Sequence, residues 1–305
     1  MSALICGSLA FDTITHYGGR FADTLLSDQP ALFNTSLQMD TLLREYGGCA
    51  GNIAYSFRAL GGEPIVLALV GSDGDDYLRH FQSLGIDTTY IAALSNAHTA
   101  QCIVMIDGDG RQISAFYPGV MRQAHRFPIP QLPHIKIGIL TPSEWQAMLL
   151  HAQQMKQARI PFIFDPGQSL PQFETDALNG IMSQADWIAV NQFEGQLLCE
   201  KTGLSLAEIS QQLCGALFVT LGAQGSDVWQ HGQKTHISPF RPERLADLTG
   251  CGDAYRSALL YGLERHWPAA HCARLGNQLG TIKAASPGAQ NHRISADLPR
   301  QFAPA

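Results

Sequence analysis

From Ile65 onward the chain alternates between short apolar runs and amphipathic stretches, and this alternation constrains its fold more than any other feature. Residues 65–70, 135–140, 161–165, 187–190 and 217–221 are mostly apolar and have the length of strands buried on both faces. Between them, segments 76–84, 143–158 and 193–203 carry helical spacing, and two of these stop at a glycine, Gly85 and Gly203. Repeated strand-helix-strand units form right-handed parallel crossovers. The pattern therefore predicts an α/β fold with a mostly parallel central sheet and helices on both faces. A helix over about 272–285 and the turn Ser286-Pro287-Gly288 complete the expected core. Ligands of such sheets gather where the strands end. That rule directs attention to Asp165, to Asn191 with Glu194, to residues 220–225, and to the segment 247–253.

The N-terminal half is less regular. Residues 3–10 read as one short buried strand, with Asp12 just past its end, where it serves either as a turn or capping residue or as a carboxylate facing a ligand. Residues 17–46 are too interrupted for the core and read as a largely extended insertion crossing a cleft. Gly47-Gly48-Cys49-Ala50-Gly51-Asn52 then opens a helix that stops at Gly61-Gly62. Its packed glycines suit either a structural turn or the close approach of a ligand, to which Asn52 offers a donor and an acceptor. Runs 100–106 and 112–117, joined by Asp107-Gly108-Asp109-Gly110, predict a β-hairpin.

Composition narrows the partners. The 305 residues are 45% hydrophobic and 15% charged, enough for a large core in one domain with an appendage or in two smaller domains. Twenty basic against 26 acidic residues give a net charge of -6 without a basic cluster, which argues against nucleic acid. Seven scattered cysteines without a C-x-x-C pair point to reduced thiols in the cytoplasm. Neither a basic leader nor a run of 18 apolar residues suggests export or a membrane, and the histidine spacing matches no zinc pattern.

The chemistry concentrates in Asp247-Leu248-Thr249-Gly250-Cys251-Gly252-Asp253. Read blandly, this is a glycine turn with an acidic helix cap. Alternatively, the amides of Gly250, Cys251 and Gly252 converge at a helix N-terminus as an anion hole, and Asp253 at its mouth accepts a proton from a substrate hydroxyl. Asn191-Gln192-Phe193-Glu194 is likewise either an N-cap with a first-turn acid or a pair that holds a hydrated magnesium ion beside phosphates. Thr220-Leu221-Gly222-Ala223-Gln224-Gly225 is a strand followed by a loop, or a nucleotide cradle. No G-x-x-x-x-G-K-[ST] loop is present, and no G-x-G-x-x-G follows the first strand.

These motifs, in this order, resemble the ribokinase family of PfkB-type carbohydrate and nucleoside kinases, with Gly47 to Asn52 similar to its first signature and Asp247 to Asp253 to its second. The likeness is greatest to bacterial nucleoside kinases of the adenosine kinase type, carried by residues 19–36, by 44–55 and by Phe164-Asp165-Pro166-Gly167-Gln168. The resemblance implies a single ribokinase-like domain over 1–305, with a nine-stranded type of core and a small β lid from insertions at about 15–46 and 98–118. It further implies transfer of the ATP γ-phosphoryl to the ribose 5′-hydroxyl of a purine nucleoside in purine salvage, with adenosine foremost and inosine or guanosine beside it. A sugar kinase acting on ribose or fructose is the alternative. Residue by residue, it makes Asp253 the general base and Gly250, Cys251 and Gly252 the anion hole. Asp12, Gly48 and Asn52 would grip the ribose, while Phe33, Ser36, Phe116, Met121, Asp165 and Gln168 would surround the nucleoside. Asn191 and Glu194 would organise magnesium through water, and Thr220, Gly222 and Gly225 would line the ATP side. Asp247 and Thr249, with the 286–288 turn, would hold a monovalent cation such as K+. Thr35, Val120 and Ser257 depart from the family pattern, and the resemblance leaves a monomer and a lid-mediated homodimer both open.

Overall fold

The computed structural model describes residues 2–24, 36–132 and 134–304, so Phe33 and Thr35 lie outside the described residues. In chain order the first half comprises β1 (Ser2–Cys6), β2 (Ala10–His16), α1 (Phe21–Thr24), β3 (Thr41–Gly47), α2 (Cys49–Ala59), β4 (Glu63–Val70), α3 (Asp75–Ser83), β5 (Ile91–Ala93), β6 (Ala100–Ile106) and β7 (Gln112–Tyr117). The second half comprises β8 (Ile137–Leu140), α4 (Trp145–Gln157), β9 (Phe162–Phe164), α5 (Thr175–Met182), β10 (Trp187–Asn191), α6 (Gln192–Thr202), α7 (Leu206–Gln212), β11 (Leu217–Thr220), β12 (Ser226–Gln230), β13 (Gln233–Ile237), α8 (Cys251–Glu264), α9 (Ala269–Ala284) and α10 (Leu298–Phe302).

Among the described residues, nine strands form one sheet in the order β13-β12-β11-β10-β9-β8-β1-β4-β5. It is parallel except at its β11-β12-β13 edge. Strand β1 shows why both faces must be covered. Ala3 and Ile5 pack into one core with residues of α2, α8 and α9, whereas Leu4 and Cys6 pack into another with residues of α4, α5 and α6. Successive side chains of a strand point to opposite faces, so a fully apolar strand demands a helical layer on each side. The sheet's carboxyl edge collects the ends of β9, β10 and β11 near the start of α8. The edge hairpin β12-β13 was not expected from the sequence. Its two-residue turn has positive φ at both His231 and Gly232, a turn geometry that His-Gly signals less plainly than Asn-Gly.

The N-terminal reading requires two corrections. Residues 3–10 are not one strand: β1 ends at Cys6 and β2 begins at Ala10, in a different sheet. Hydrophobicity does not mark the break because Gly7 to Ala10 remain buried throughout. Asp12 therefore lies within β2, opposite Glu45 on β3 and Cys102 on β6, and is neither a turn nor a cap. Of residues 17–46, those at 25–35 lie outside the described residues; the rest hold the four-residue helix α1 and most of the extended strand β3.

Among the described residues, strands β3-β2-β6-β7 form the second, four-stranded sheet. The segments 15–46 and 98–118 contribute most of it, while β2 starts earlier, at Ala10. Paired residues share a face, so Glu45, Asp12, Cys102 and Phe116 form one row across this sheet.

Candidate active site

Helix α8 begins at Gly250, whose φ of 79° is left-handed. A Cβ there would also meet the Ala289 Cβ at 2.8 Å, so glycine is required twice over. Among the described residues no side chain caps α8, which leaves the positive end of the helix dipole to a ligand. The amide of Cys251 does not join an open trio of donors, because it closes a turn onto the Leu248 carbonyl at 3.2 Å. Gly250, Gly252 and Asp253 line a cavity of about 870 Å³, whereas Cys251 is not among its walls.

Asp253 is held from across the molecule. The Asn52 Nδ2 donates to its Oδ2 at 2.8 Å, and the Asn52 Oδ1 accepts from Gln290 Nε2 at 3.0 Å. Gln290 also donates to the Tyr77 hydroxyl (2.9 Å), which in turn donates to the Gly47 carbonyl (2.6 Å). The chain thus ties its two glycine motifs together through a satisfied, buried polar network. Burial raises the pKa of Asp253, and the Asn52 hydrogen bond and the Arg256 charge oppose that rise. Gly48 shapes the turn before Asn52: its φ is 86°, and a Cβ would lie 2.6 Å from the Ser8 carbonyl.

Asp12 is only partly exposed and, among the described residues, has neither a hydrogen bond nor an ion pair on its carboxylate. Burial, followed by the charges of Asp253, Asp247 and Glu45, pushes its pKa up to about 6. Such a carboxylate is electrostatically uncomfortable, and hydroxyl donors from a ligand would relieve it.

Arg256 went unnoticed in the sequence. It follows Asp253 by three residues, so both point from the same face of α8. Its guanidinium is buried, with Nε 2.5 Å from Asp165 Oδ2 and Nη2 3.5 Å from Glu194 Oε2. It also donates to the carbonyls of Gly252 (3.2 Å) and Ala189 (3.3 Å). Burial raises the pKa of Asp165 and Arg256 opposes the rise, so Asp165 serves first as the counter-ion of this arginine. The available signal was a charged residue inside the apolar run Ala254-Tyr255-Arg256-Ser257-Ala258. Gln290 and the exposed Phe193, which lines the cavity, were missed as well.

Of the other expected residues, Gln168, Asn191, Glu194, Thr220 and Gly222 line the same cavity as Asp253 and Asp165. Gly225 does not; its φ of 90° serves the turn into β12. Ser36 and Phe116 are exposed, Met121 is partly buried in the turn after β7, and none of the three reaches the cavity wall. Asn191 and Glu194 form a capping box at the start of α6, each side chain accepting the other's backbone amide at 2.8 Å. Both described contacts of the Glu194 carboxylate fall on Oε2. The Glu194 carboxylate and the Asn191 Oδ1, beside the cavity, are hard oxygen donors of the kind that suits a hydrated magnesium ion.

The Asp247 carboxylate is already engaged. Its Oδ1 accepts from the Thr249 amide and its Oδ2 from the Gly288 amide, both at 2.9 Å. Where a monovalent cation was expected, the Lys283 ammonium donates to the Asp247 carbonyl at 2.8 Å and to the Ser286 carbonyl at 3.1 Å.

A carboxylate beside an uncapped helix start, at the carboxyl edge of a parallel sheet, is the layout of a phosphotransferase. Residues 21–296 match the pfkB family carbohydrate kinases, and the chain belongs to that family. The structure of the Burkholderia thailandensis nucleoside kinase in complex with inosine is 38% identical, covers 98% of this chain and 96% of that one, and has a TM-score of 0.88. Its complex with ADP-inosine gives 39% identity, 98% and 94% coverage, and a TM-score of 0.85. The nucleoside kinase of Methanocaldococcus jannaschii is 25% identical over 265 residues, 85% of each chain.

Proposed function

We propose that this chain transfers the γ-phosphoryl group of ATP to the ribose 5′-hydroxyl of a purine nucleoside, with adenosine, inosine and guanosine as its substrates, giving the nucleoside monophosphate. The observation that carries the reading is the 2.8 Å bond by which Asn52 aims Asp253 at the start of α8. The likeness to a nucleoside kinase seen with inosine and with ADP-inosine supports the substrate class.

In this reading the nucleoside lies between the four-stranded sheet and Asp253, with Asp12 accepting from the ribose hydroxyls. The 5′-hydroxyl attacks the γ-phosphorus in line, and Asp253 takes its proton as the new bond forms. A raised pKa makes Asp253 a stronger base than an ordinary aspartate while Asn52 keeps it oriented. The amides at the start of α8 and the helix dipole stabilise charge on the transferring group. Thr220 and Gly222 border the nucleotide, and Arg256 fixes Glu194 and Asp165 beneath it. Magnesium, held through water by Asn191 and Glu194, would neutralise phosphate charge. The chain acts as one domain, its four-stranded sheet closing as a lid that excludes water so that ATP is not hydrolysed.

A coupled assay of ADP release with ATP and a panel of adenosine, inosine, guanosine, ribose and fructose tests this reading. Turnover with the nucleosides and not with the free sugars is the expected result. Turnover with ribose or fructose alone would make the chain a sugar kinase, and none with any acceptor would refute a kinase.

A further inference from the structure

We propose that Lys283 is a built-in monovalent cation: its ammonium occupies the position that an alkali-metal ion would fill behind the 247–253 turn, so this chain works without K+. Lys283 lies in the last turn of α9 and is fully buried. Two main-chain carbonyls, Asp247 and Ser286, accept its protons at 2.8 and 3.1 Å, and the Asp247 Oδ2 lies 3.5 Å away. Carbonyl oxygens and one carboxylate converging on a single point form the donor set of a weakly hydrated cation. Here the cation is covalently attached, and its three N–H groups serve two carbonyls and a carboxylate.

The position matters because Lys283 joins the two loops that back the anion site. The Asp247 end is tied further to α9 by the amides of Ala246 and Asp247, which donate to the Ala284 carbonyl at 2.8 and 3.2 Å. On the Ser286 side, the Gly288 amide donates to Asp247, and Ala289 packs against Gly250, the residue that opens α8. A fixed positive charge there holds the turn in shape and adds to the field that favours a transferring phosphoryl group. An ion would bind and leave with its concentration, whereas an attached ammonium is always present.

This inference rests on the reading of 247–253 as the phosphate-stabilising turn, and the stability measurement below stands apart from it. The Tm of the wild-type protein and, with ATP and inosine, its kcat are measured in KCl, NaCl and tetramethylammonium chloride at equal ionic strength. Both are expected to be the same in all three salts. The Lys283→Met variant should lose kcat by ~100-fold in tetramethylammonium chloride, as when one stabilising group of an anion hole is removed. In KCl it should recover ~10-fold of that loss and gain thermal stability, because the vacated oxygens now bind the ion. A simple packing defect would not respond to K+ over tetramethylammonium. A wild-type protein that K+ activates or stabilises specifically would overturn the proposal, as would a Lys283→Met variant with full kcat or without a K+-specific gain in Tm. If the variant does not fold in either salt, the wild-type comparison decides alone. If no acceptor supports turnover, the kinase reading fails while the Tm comparisons still decide the role of Lys283.

Discussion

Replacing Asp12 by asparagine should stabilise the protein and impair its binding of nucleoside. The carboxylate is partly buried without a partner among the described residues, and its pKa rises from 3.8 to about 6 through burial and the neighbouring charges of Asp253, Asp247 and Glu45. The sign follows from linkage. The folded state holds this proton to higher pH than the unfolded state does, so ionisation of Asp12 costs stability as pH rises from about 4 through about 6, and the full cost remains above that window. The shift corresponds to about 3 kcal/mol. Solvent screening of a partly exposed group reduces this to ~1–2 kcal/mol. With an unfolding entropy of about 0.6 kcal/mol/K for a chain of this length, Asp12→Asn should raise Tm by about 2–3 °C at pH 8. The gain should shrink by about half at pH 5, where the native aspartate is largely protonated. Scanning calorimetry at the two pH values gives the stability. Titration calorimetry with inosine should show affinity weaker by ~10- to 100-fold, the loss expected for a charge-assisted hydrogen bond. A lower Tm at pH 8 would show that Asp12 is a structural partner, and unchanged affinity would remove it from the ribose site.

Two further substitutions probe the supports of Asp253. Asn52→Ala removes the donor that holds the Asp253 pKa down, so the acid limb of the kcat-pH profile should move to higher pH while kcat falls at least ~10-fold; an unmoved limb would separate the limb from Asp253. Arg256→Met leaves Asp165 buried without its counter-ion and should cost ~3–5 kcal/mol in urea unfolding. Adding Asp165→Asn to that variant should restore much of the loss, and purely additive effects would argue against a coupled pair.

Much of the second half was legible because strands β8 to β11 are buried on both faces, so apolar runs of strand length alternate with stretches of helical spacing. Gly203 ends α6 in the left-handed conformation that its position in the sequence suggested. The N-terminal half misled where burial continued through a break. Gly7 to Ala10 are buried, yet within them the chain leaves one sheet for another, and only the pairing of Asp12 with Glu45 and Cys102 reveals it. The candidate site was readable where a motif fixes its own backbone, as at Gly48 and Gly250. Residues distant in sequence were not readable. Gln290, Arg256 and Lys283 act through partners brought close only by the fold, and an isolated arginine or lysine in an apolar helix carries no local indication of its counter-ion.

The central claim is that Asp253, aimed by Asn52, takes the proton of a nucleoside 5′-hydroxyl as phosphate moves to it. Phosphorus NMR of a reaction of inosine with ATP measures this directly. The account requires a nucleoside 5′-monophosphate signal growing in step with ADP for the wild-type protein, and a rate lower by ~10²–10⁴ for Asp253→Asn with inosine affinity retained. Free inorganic phosphate in place of the monophosphate, or an Asp253→Asn variant that matches the wild-type rate, would contradict it.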